Sequence, residues 1–233
     1  MDLSQNAALR QTFLLRHNFS QFLPPAAIQA LRLYRFSDGE YLCREGDPTR
    51  YLLFLVEGRC KVTRSLQNGK ESLICFYQDF AILGELELIC ALSPISEPPP
   101  LVNTVQATGI VRCLALPIDA AQALLAEDIL FLRFLCPRLA QKLMQSNQTL
   151  SINLHYPVDQ RLASYIFRSR PTPETLFREN HTHLAEYLGC SHRQLLRVLR
   201  RFREEGILKK EGDAYRVIDV DRLESLAGDI YNP

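Results

Sequence analysis

No apolar run in this sequence approaches the roughly 18 residues that cross a bilayer. The opening stretch, MDLSQNAALRQTFLLRHNF, carries Asp2, Arg10 and Arg16 where a secretory signal would hold its apolar core. A cytoplasmic location with no membrane contact is therefore expected. Paired cysteines are also missing. Cys43, Cys60, Cys75, Cys90, Cys113, Cys136 and Cys190 are odd in number and contain no C-x-x-C, which points to reduced thiols packed as small apolar groups. The histidines are His17, His155, His181, His183 and His192, so the long stretch between the first two offers no ligand cluster for a metal-dependent β-barrel enzyme. G-x-x-x-x-G-K-[ST], G-x-G-x-x-G and G-x-S-x-G are absent, which removes the common nucleotide-hydrolase and esterase chemistries. No enzyme is expected.

The 47% hydrophobic and 23% charged content is that of a folded globular chain. Net charge is only +1, but nine Lys/Arg against six Asp/Glu between Arg178 and Val217 leave a local excess of three positive charges, compatible with phosphate contacts. Residues 1–35 read as a helical lead-in, with Pro24-Pro25 opening an amphipathic turn. From Phe36 to Leu116 short apolar runs alternate with turn signals: YLLFLVEG (51–58), RCKVTRS (59–65), SLICFY (72–77), LVNTVQAT (101–108) and VRCLALP (111–117). Asn68-Gly69 between two such runs is a hairpin signal. Seven or eight strands at this spacing predict a jelly roll or sandwich, with Ser96–Pro100 as a stiff surface loop.

After Pro117 the period becomes helical. A first helix is predicted over Ile118–Ala126 and a long one from Asp128 to Leu154. Along the second, Leu132, Cys136, Leu139, Leu143, Ser146 and Leu150 form a heptad-like seam suited to pairing with a second copy; Pro137 within it predicts a kink or a later start. Pro157 opens a further helix, and 168–180 reads as a loop. The expected domains are 1–126, 127–156 and 157–233.

The segment 181–210 carries the functional signal. Leu184, Ala185 and Leu188 share one helix face, Gly189 supplies a tight turn and Ser191 caps the next helix. Leu195, Leu196, Val198, Leu199 and Phe202 are the expected buried side of that second helix. This is the helix-turn-helix layout, whose second helix enters the major groove. Arg193 and Arg197, four apart, share a face suited to guanine edges or phosphates. ILKK-EGDA-YRVID reads as a two-stranded wing. The expected DNA-binding set is Asn180, Thr182, Ser191, His192, Arg193, Gln194, Arg197, Arg200, Lys209 and Lys210.

LAEYLGCSHRQLLRVLRRFREEGIL (184–208) resembles the DNA-binding domain of the CRP/FNR family of bacterial regulators. ILGELELI (82–89) is similar to that family's Gly-Glu-Leu cassette, and with CLALP (113–117) it points to the YeiL-like branch. The resemblance implies an α+β chain: an N-terminal cyclic-nucleotide-binding-type β-roll (a double-stranded jelly roll), a long dimerisation helix and a C-terminal winged helix-turn-helix. It implies a homodimeric regulator of transcription on double-stranded DNA, with RNA polymerase as a further partner. It also implies that Leu132, Leu139, Leu143 and Leu150 line the dimer helix, and that effector candidates cluster at Gly84, Glu85, Leu86, Leu101, Val102, Ser146 and Asn147.

Leu101 and Val102 stand where cAMP-binding members place an Arg-Ser pair on a strand. Glu85 as a lone acid would repel phosphate, so cAMP is not expected. No cysteine precedes Cys43, which argues against the family's N-terminal iron–sulfur centre, although dispersed cysteines can converge as a cluster or a redox disulfide. No cofactor is predicted. Arg193 occupies the place of a Glu common in the family's recognition helix, which predicts a different operator. The competing class is a ligand- or protein-binding roll that reads no DNA sequence.

Overall fold

The computed structural model describes residues 2–4, 6–65, 71–91, 99–169, 176–228 and 230. The expected hairpin turn at 67–70 and most of the 96–100 loop lie outside them. The chain divides into two compact units, Met1–Lys142 and Leu143–Pro233. The boundary falls inside the long helix rather than at its ends.

The first unit is an antiparallel sheet wrapped by helices. In chain order it holds β1 (Asp2–Leu3), α1 (Ala7–Arg16), α2 (Pro25–Ala30), β2 (Arg32–Phe36), β3 (Tyr41–Cys43), β4 (Tyr51–Ser65), β5 (Glu71–Gln78), β6 (Ala81–Leu83), α3 (Glu85–Cys90), β7 (Thr104–Pro117) and α4 (Ile118–Leu125). The lead-in is thus not purely helical, because β1 and β2 already belong to the sheet. The path runs β1-β2-β7-β4-β5, with β3 on β7 and β6 on β4.

Runs 51–58 and 59–65, separate in the sequence reading, form the single strand β4, and 104–108 joins 111–117 in β7. Bulges at Leu55/Glu57 and Glu57/Arg59 bend β4 in place of ending it. Gly58 sits there at φ +94°, and a Cβ on it would collide with the Ile110 carbonyl. Beyond the bend β4 changes partner: Leu53–Leu55 pair with β6, whereas Arg59–Ser65 pair with β5.

Both faces of β4 are buried. Leu52, Phe54 and Val56 join Phe19, Phe22, Leu114 and Leu116 under the helices, while Leu53, Leu55, Cys60 and Val62 fill the inside of the roll with Val105, Ala107 and Cys113. This is why YLLFLV shows no polar alternation. Each fully buried Phe or Leu there contributes about 1.5–3 kcal/mol.

The helix α5 (Ile129–His155) runs through Pro137 without a break. Its start is packed on the roll: Phe131 and Leu135 are buried, and Leu132, Phe134 and Leu139 are half-buried against the same core. The second unit continues with α6 (Val158–Ser169), α7 (His181–Tyr187), α8 (His192–Glu204), β8 (Leu208–Glu211), β9 (Ala214–Val217) and α9 (Val220–Ala227). Leu162, Leu184, Leu188, Leu195, Leu199, Phe202 and Leu223 form its core. Among the described residues no helix is long and apolar enough to cross a membrane.

Candidate nucleic-acid interface and effector region

α7 and α8 are joined by a tight turn in which Gly189 takes φ +58° and the Cys190 N–H donates to the Ala185 carbonyl at 2.9 Å. Arg161 of α6, itself buried, donates to the Leu188 carbonyl from beneath and ties the turn to its own unit. Nothing in the local sequence marked Arg161 for this role, because its partner lies 27 residues away.

Ser191 caps α8 through a reciprocal pair: its Oγ accepts from the Gln194 N–H at 3.2 Å, and Gln194 Oε1 accepts from the Ser191 N–H at 2.9 Å. Asn180 Oδ1 likewise accepts from the Thr182 N–H at 2.9 Å. Oxygens of three expected DNA contacts, Ser191, Gln194 and Asn180, are thus engaged in shaping helix starts, which leaves the Gln194 amide NH2 group to face a ligand.

The arginines of α8 separate into two classes. Arg200 pairs with Glu204 at 2.8 Å, and Arg201 reaches Asp159 on α6 at 2.6 Å. Arg193 and Arg197 are exposed and make no ion pair among the described residues. Leu196, placed on the buried side in the sequence reading, is 41% exposed. The correction follows from helical spacing, since a three-residue step puts Leu196 beside Arg193; Leu195, Leu199 and Phe202 already fill the inner face. An apolar side chain beside such an arginine is suited to a thymine methyl next to a guanine edge. Lys209 and Lys210 are exposed on β8. His192 opens α8, with its ring 6.3 Å from that of His181; the side chain of His183 lies outside the described residues.

The effector candidates are only partly gathered. Gly84 takes φ +86°, and a Cβ there would lie 2.8 Å from the Tyr51 carbonyl oxygen, so the cassette needs glycine at this point. Leu86 is 41% exposed. Glu85 is not the lone acid expected from sequence: its carboxylate accepts from Lys142 Nζ of α5 at 2.5 Å. The same ammonium donates to the Ile82 carbonyl at 2.9 Å and sits 4.6 Å from the Tyr77 ring centre. Burial pushes the Glu85 carboxyl above its ordinary value, and Lys142 offsets only part of that rise. Lys142 lies 57 residues from its partner, a separation over which no local sequence signal joins the two.

Leu101 and Val102 do not lie on a strand, as had been expected; β7 begins at Thr104. Leu101 is buried and exchanges backbone bonds with Gly46 and Asp47. The Val102 N–H donates to the buried Glu87 carboxylate at 3.0 Å. A cyclic phosphate needs a desolvated donor fork. Here the lysine is neutralised by Glu85 and the amide is spent on Glu87, so these residues do not fit one. Ser146 and Asn147 are exposed and belong to the second unit.

Nor do the thiols fit an iron–sulfur centre. Among the described residues no group of three or more His, Cys, Asp or Glu is placed to hold a metal. Burial pushes the Cys43 and Cys60 thiols up to about 12 and raises Cys113 well above its ordinary value. Cluster ligation needs thiolates, which these positions oppose. All seven cysteines are free; Cys90 and Cys136 are exposed.

The expected dimer seam is divided. Leu132 and Leu139 face their own roll, and the Leu150 side chain lies outside the described residues. Leu143 is 63% exposed and Leu154 78%. With Cys136, Ala140 and Asn147, also exposed, they share the spacing 136, 140, 143, 147 and 154, which keeps Cys136 and Leu143 of the sequence-derived seam and drops Leu132 and Leu139.

Comparison with known proteins agrees with both halves. Residues 33–128 match the cyclic nucleotide-binding domain family, and residues 160–226 match the Crp-like helix-turn-helix domain. The regulatory protein YeiL of Escherichia coli O157:H7 is 38% identical over 196 residues, covering 84% of this chain and 85% of that protein. The CRP-like cAMP-activated global transcriptional regulator of Mycobacterium tuberculosis is 24% identical over 222 residues, 90% of this chain and 96% of its own length. Among solved structures, a regulator of the CRP/FNR family from Eubacterium rectale superposes with a TM-score of 0.73 at 17% identity, covering 92% of this chain and 97% of that one.

Proposed function

Because the chain belongs to the CRP/FNR family of bacterial transcription regulators, in its YeiL-like branch, we propose which residues carry out that family's work here. The protein is a DNA-binding transcription regulator that acts as a homodimer and is not an enzyme. Arg193, Leu196 and Arg197 read base edges in the major groove, with His192 beside them. Lys209, Lys210, Thr182, Asn180 and Gln194 hold the backbone. Arg200, engaged with Glu204, adds a rim contact. The observation that carries this reading is that a capped α8 leaves Arg193 and Arg197 exposed, with no carboxylate paired to them among the described residues, while Arg201 is tied back to Asp159.

The dimer forms along Cys136, Ala140, Leu143, Asn147, Leu150 and Leu154, with Asn147 setting register as a polar residue on an apolar seam. Family members are gated by effectors such as cAMP or iron–sulfur clusters. In this chain the residues fit neither: Lys142 and Glu85 satisfy each other at the cassette, and Cys43, Cys60 and Cys113 are buried with their thiols raised. The regulator works in the cytoplasm and acts through RNA polymerase.

Binding-site selection followed by anisotropy titration tests the reading. Arg193→Ala and Arg197→Ala should each cost about 1–3 kcal/mol and relax specificity at one base. Lys209→Ala should weaken all sequences alike and reduce the salt slope by about 1. Equal losses on selected and random DNA for the two arginine variants would overturn the assignment.

A further inference from the structure

His181 opens α7 and His192 opens α8, with ring centres 6.3 Å apart. The Tyr215 ring of β9 lies 6.0 Å from that of His181 on another side. Lys210, on β8, is the remaining charged group that acts on this imidazole. Burial, His192 and Lys210, in that order, push the His181 pKa below its ordinary value. Both charged neighbours are thus cationic or become so. The nearby wing carboxylates are engaged elsewhere: Glu211 accepts from Arg216 at 2.9 Å and Asp213 pairs with Arg178 at 3.1 Å. α7, α8 and the wing therefore contribute two imidazoles whose ring centres are 6.3 Å apart and a lysine whose charge acts on the first of them, with Tyr215 of β9 on another side of His181.

We propose that His181, His192 and Lys210 form a phosphate seat in the DNA interface, and that DNA binding takes up a proton there. The inference rests on the reading that α8 enters DNA. His181 lies outside the expected contact set; by sequence it is only a polar residue of a first helical turn. In the free protein His192 and Lys210 oppose protonation of the His181 imidazole. A duplex phosphate reverses that balance, because an opposite charge within reach favours the charged form. The His181 pKa is lowered when free and rises when bound. Between those two values complex formation consumes a proton, so affinity increases as pH falls. Linking the first helix, the recognition helix and the wing through one phosphate would also fix the orientation of α8, since backbone contacts set register while base contacts specify.

The test uses the full-length protein, a fluorescein-labelled random-sequence duplex, low salt and EDTA throughout, from pH 8 to pH 6. A random sequence suffices because the phosphate contribution is independent of sequence. Wild-type affinity should rise about tenfold over that span. His181→Gln and His192→Gln should each flatten the profile, with circular dichroism and thermal melts at pH 8 matching wild type. Should His181→Gln unfold, His192→Gln carries the test. Lys210→Gln should weaken binding yet move the steep part of the profile to higher pH, which a merely structural lysine would not do. A flat wild-type profile overturns the seat, as does a slope retained in both histidine variants. A slope seen only when EDTA is omitted also overturns it, since a bridging metal would then hold the pair. Absence of binding at every pH and the lowest salt would instead overturn the DNA-binding reading itself.

Discussion

Replacing Lys142 by Met keeps a side chain of similar length and deletes its charge, which isolates the electrostatic part of the Glu85 contact. The Glu85 side chain is 5% exposed, and Lys142 is the cation that favours its ionised form. Without it an ionised carboxylate in the roll has no counter-charge, and protonation is the cheaper escape. Holding at pH 7 a carboxyl protonated that is ionised in the unfolded chain costs about 1.4 kcal/mol per pH unit above about 4.3, hence about 3–4 kcal/mol. That agrees with the roughly 3–5 kcal/mol lost when one member of a buried pair is removed. At pH 5 the same cost falls to about 1 kcal/mol.

The direction of the pH dependence is set by where the proton sits. In the variant the folded-state pKa of Glu85 lies far above the unfolded one, so the folded state binds the extra proton. Stability is then fully present below the unfolded pKa and is lost as pH rises toward the folded one. Urea denaturation followed by circular dichroism at pH 5 and pH 7 measures both values. Because burial already raises the Glu85 carboxyl with Lys142 in place, Lys142→Met should lose at most about 3 kcal/mol at pH 7 and at most about 1 kcal/mol at pH 5. Adding Glu85→Gln should recover most of the loss at pH 7, since removing both charges of a buried pair is far milder than removing one. Equal losses at the two pH values, or no recovery in the double variant, would refute the role given to this pair.

Gly84→Ala forces a side chain to φ +86° with its Cβ 2.8 Å from the Tyr51 carbonyl oxygen; a loss of about 1–3 kcal/mol by urea denaturation is expected. Ser191→Ala removes the reciprocal cap of α8 and should lower the stability of the second unit by about 1 kcal/mol, read by thermal unfolding. An aromatic disulfide reagent at pH 8 should label the exposed Cys90 in the folded protein, while Cys136, on the dimer seam, should be shielded in the homodimer. Cys43, Cys60 and Cys113, buried with their thiols raised, should react only after unfolding, because the thiolate is the nucleophile.

The winged helix-turn-helix was legible because each of its signals acts over a few residues. Gly189 permits the turn, Ser191 and Gln194 cap each other three residues apart, and the apolar spacing of Leu195, Leu199 and Phe202 selects the inner face. Strands were harder to delimit. Gly58 reads as a break between two runs, yet the backbone passes through it as a bulge, because β7 pairs with β4 on both sides of the bend. Which side of Leu196 faces outward depended on how much of α8 its own core covers, and periodicity alone could not decide that.

By itself the sequence determined the order of elements, the family, the reading helix and the absence of the usual phosphate-binding pair at Leu101 and Val102. Local propensity, capping and hydrophobic period suffice for these. Only the tertiary structure decided that Leu132 and Leu139 pack against the roll, while Leu143 and Leu154 are left exposed. It alone joined Lys142 to Glu85 across 57 residues and set His181 beside His192 and Lys210. A charge shows in sequence as a charge, but whether it is neutralised depends on what a distant segment brings within hydrogen-bond reach.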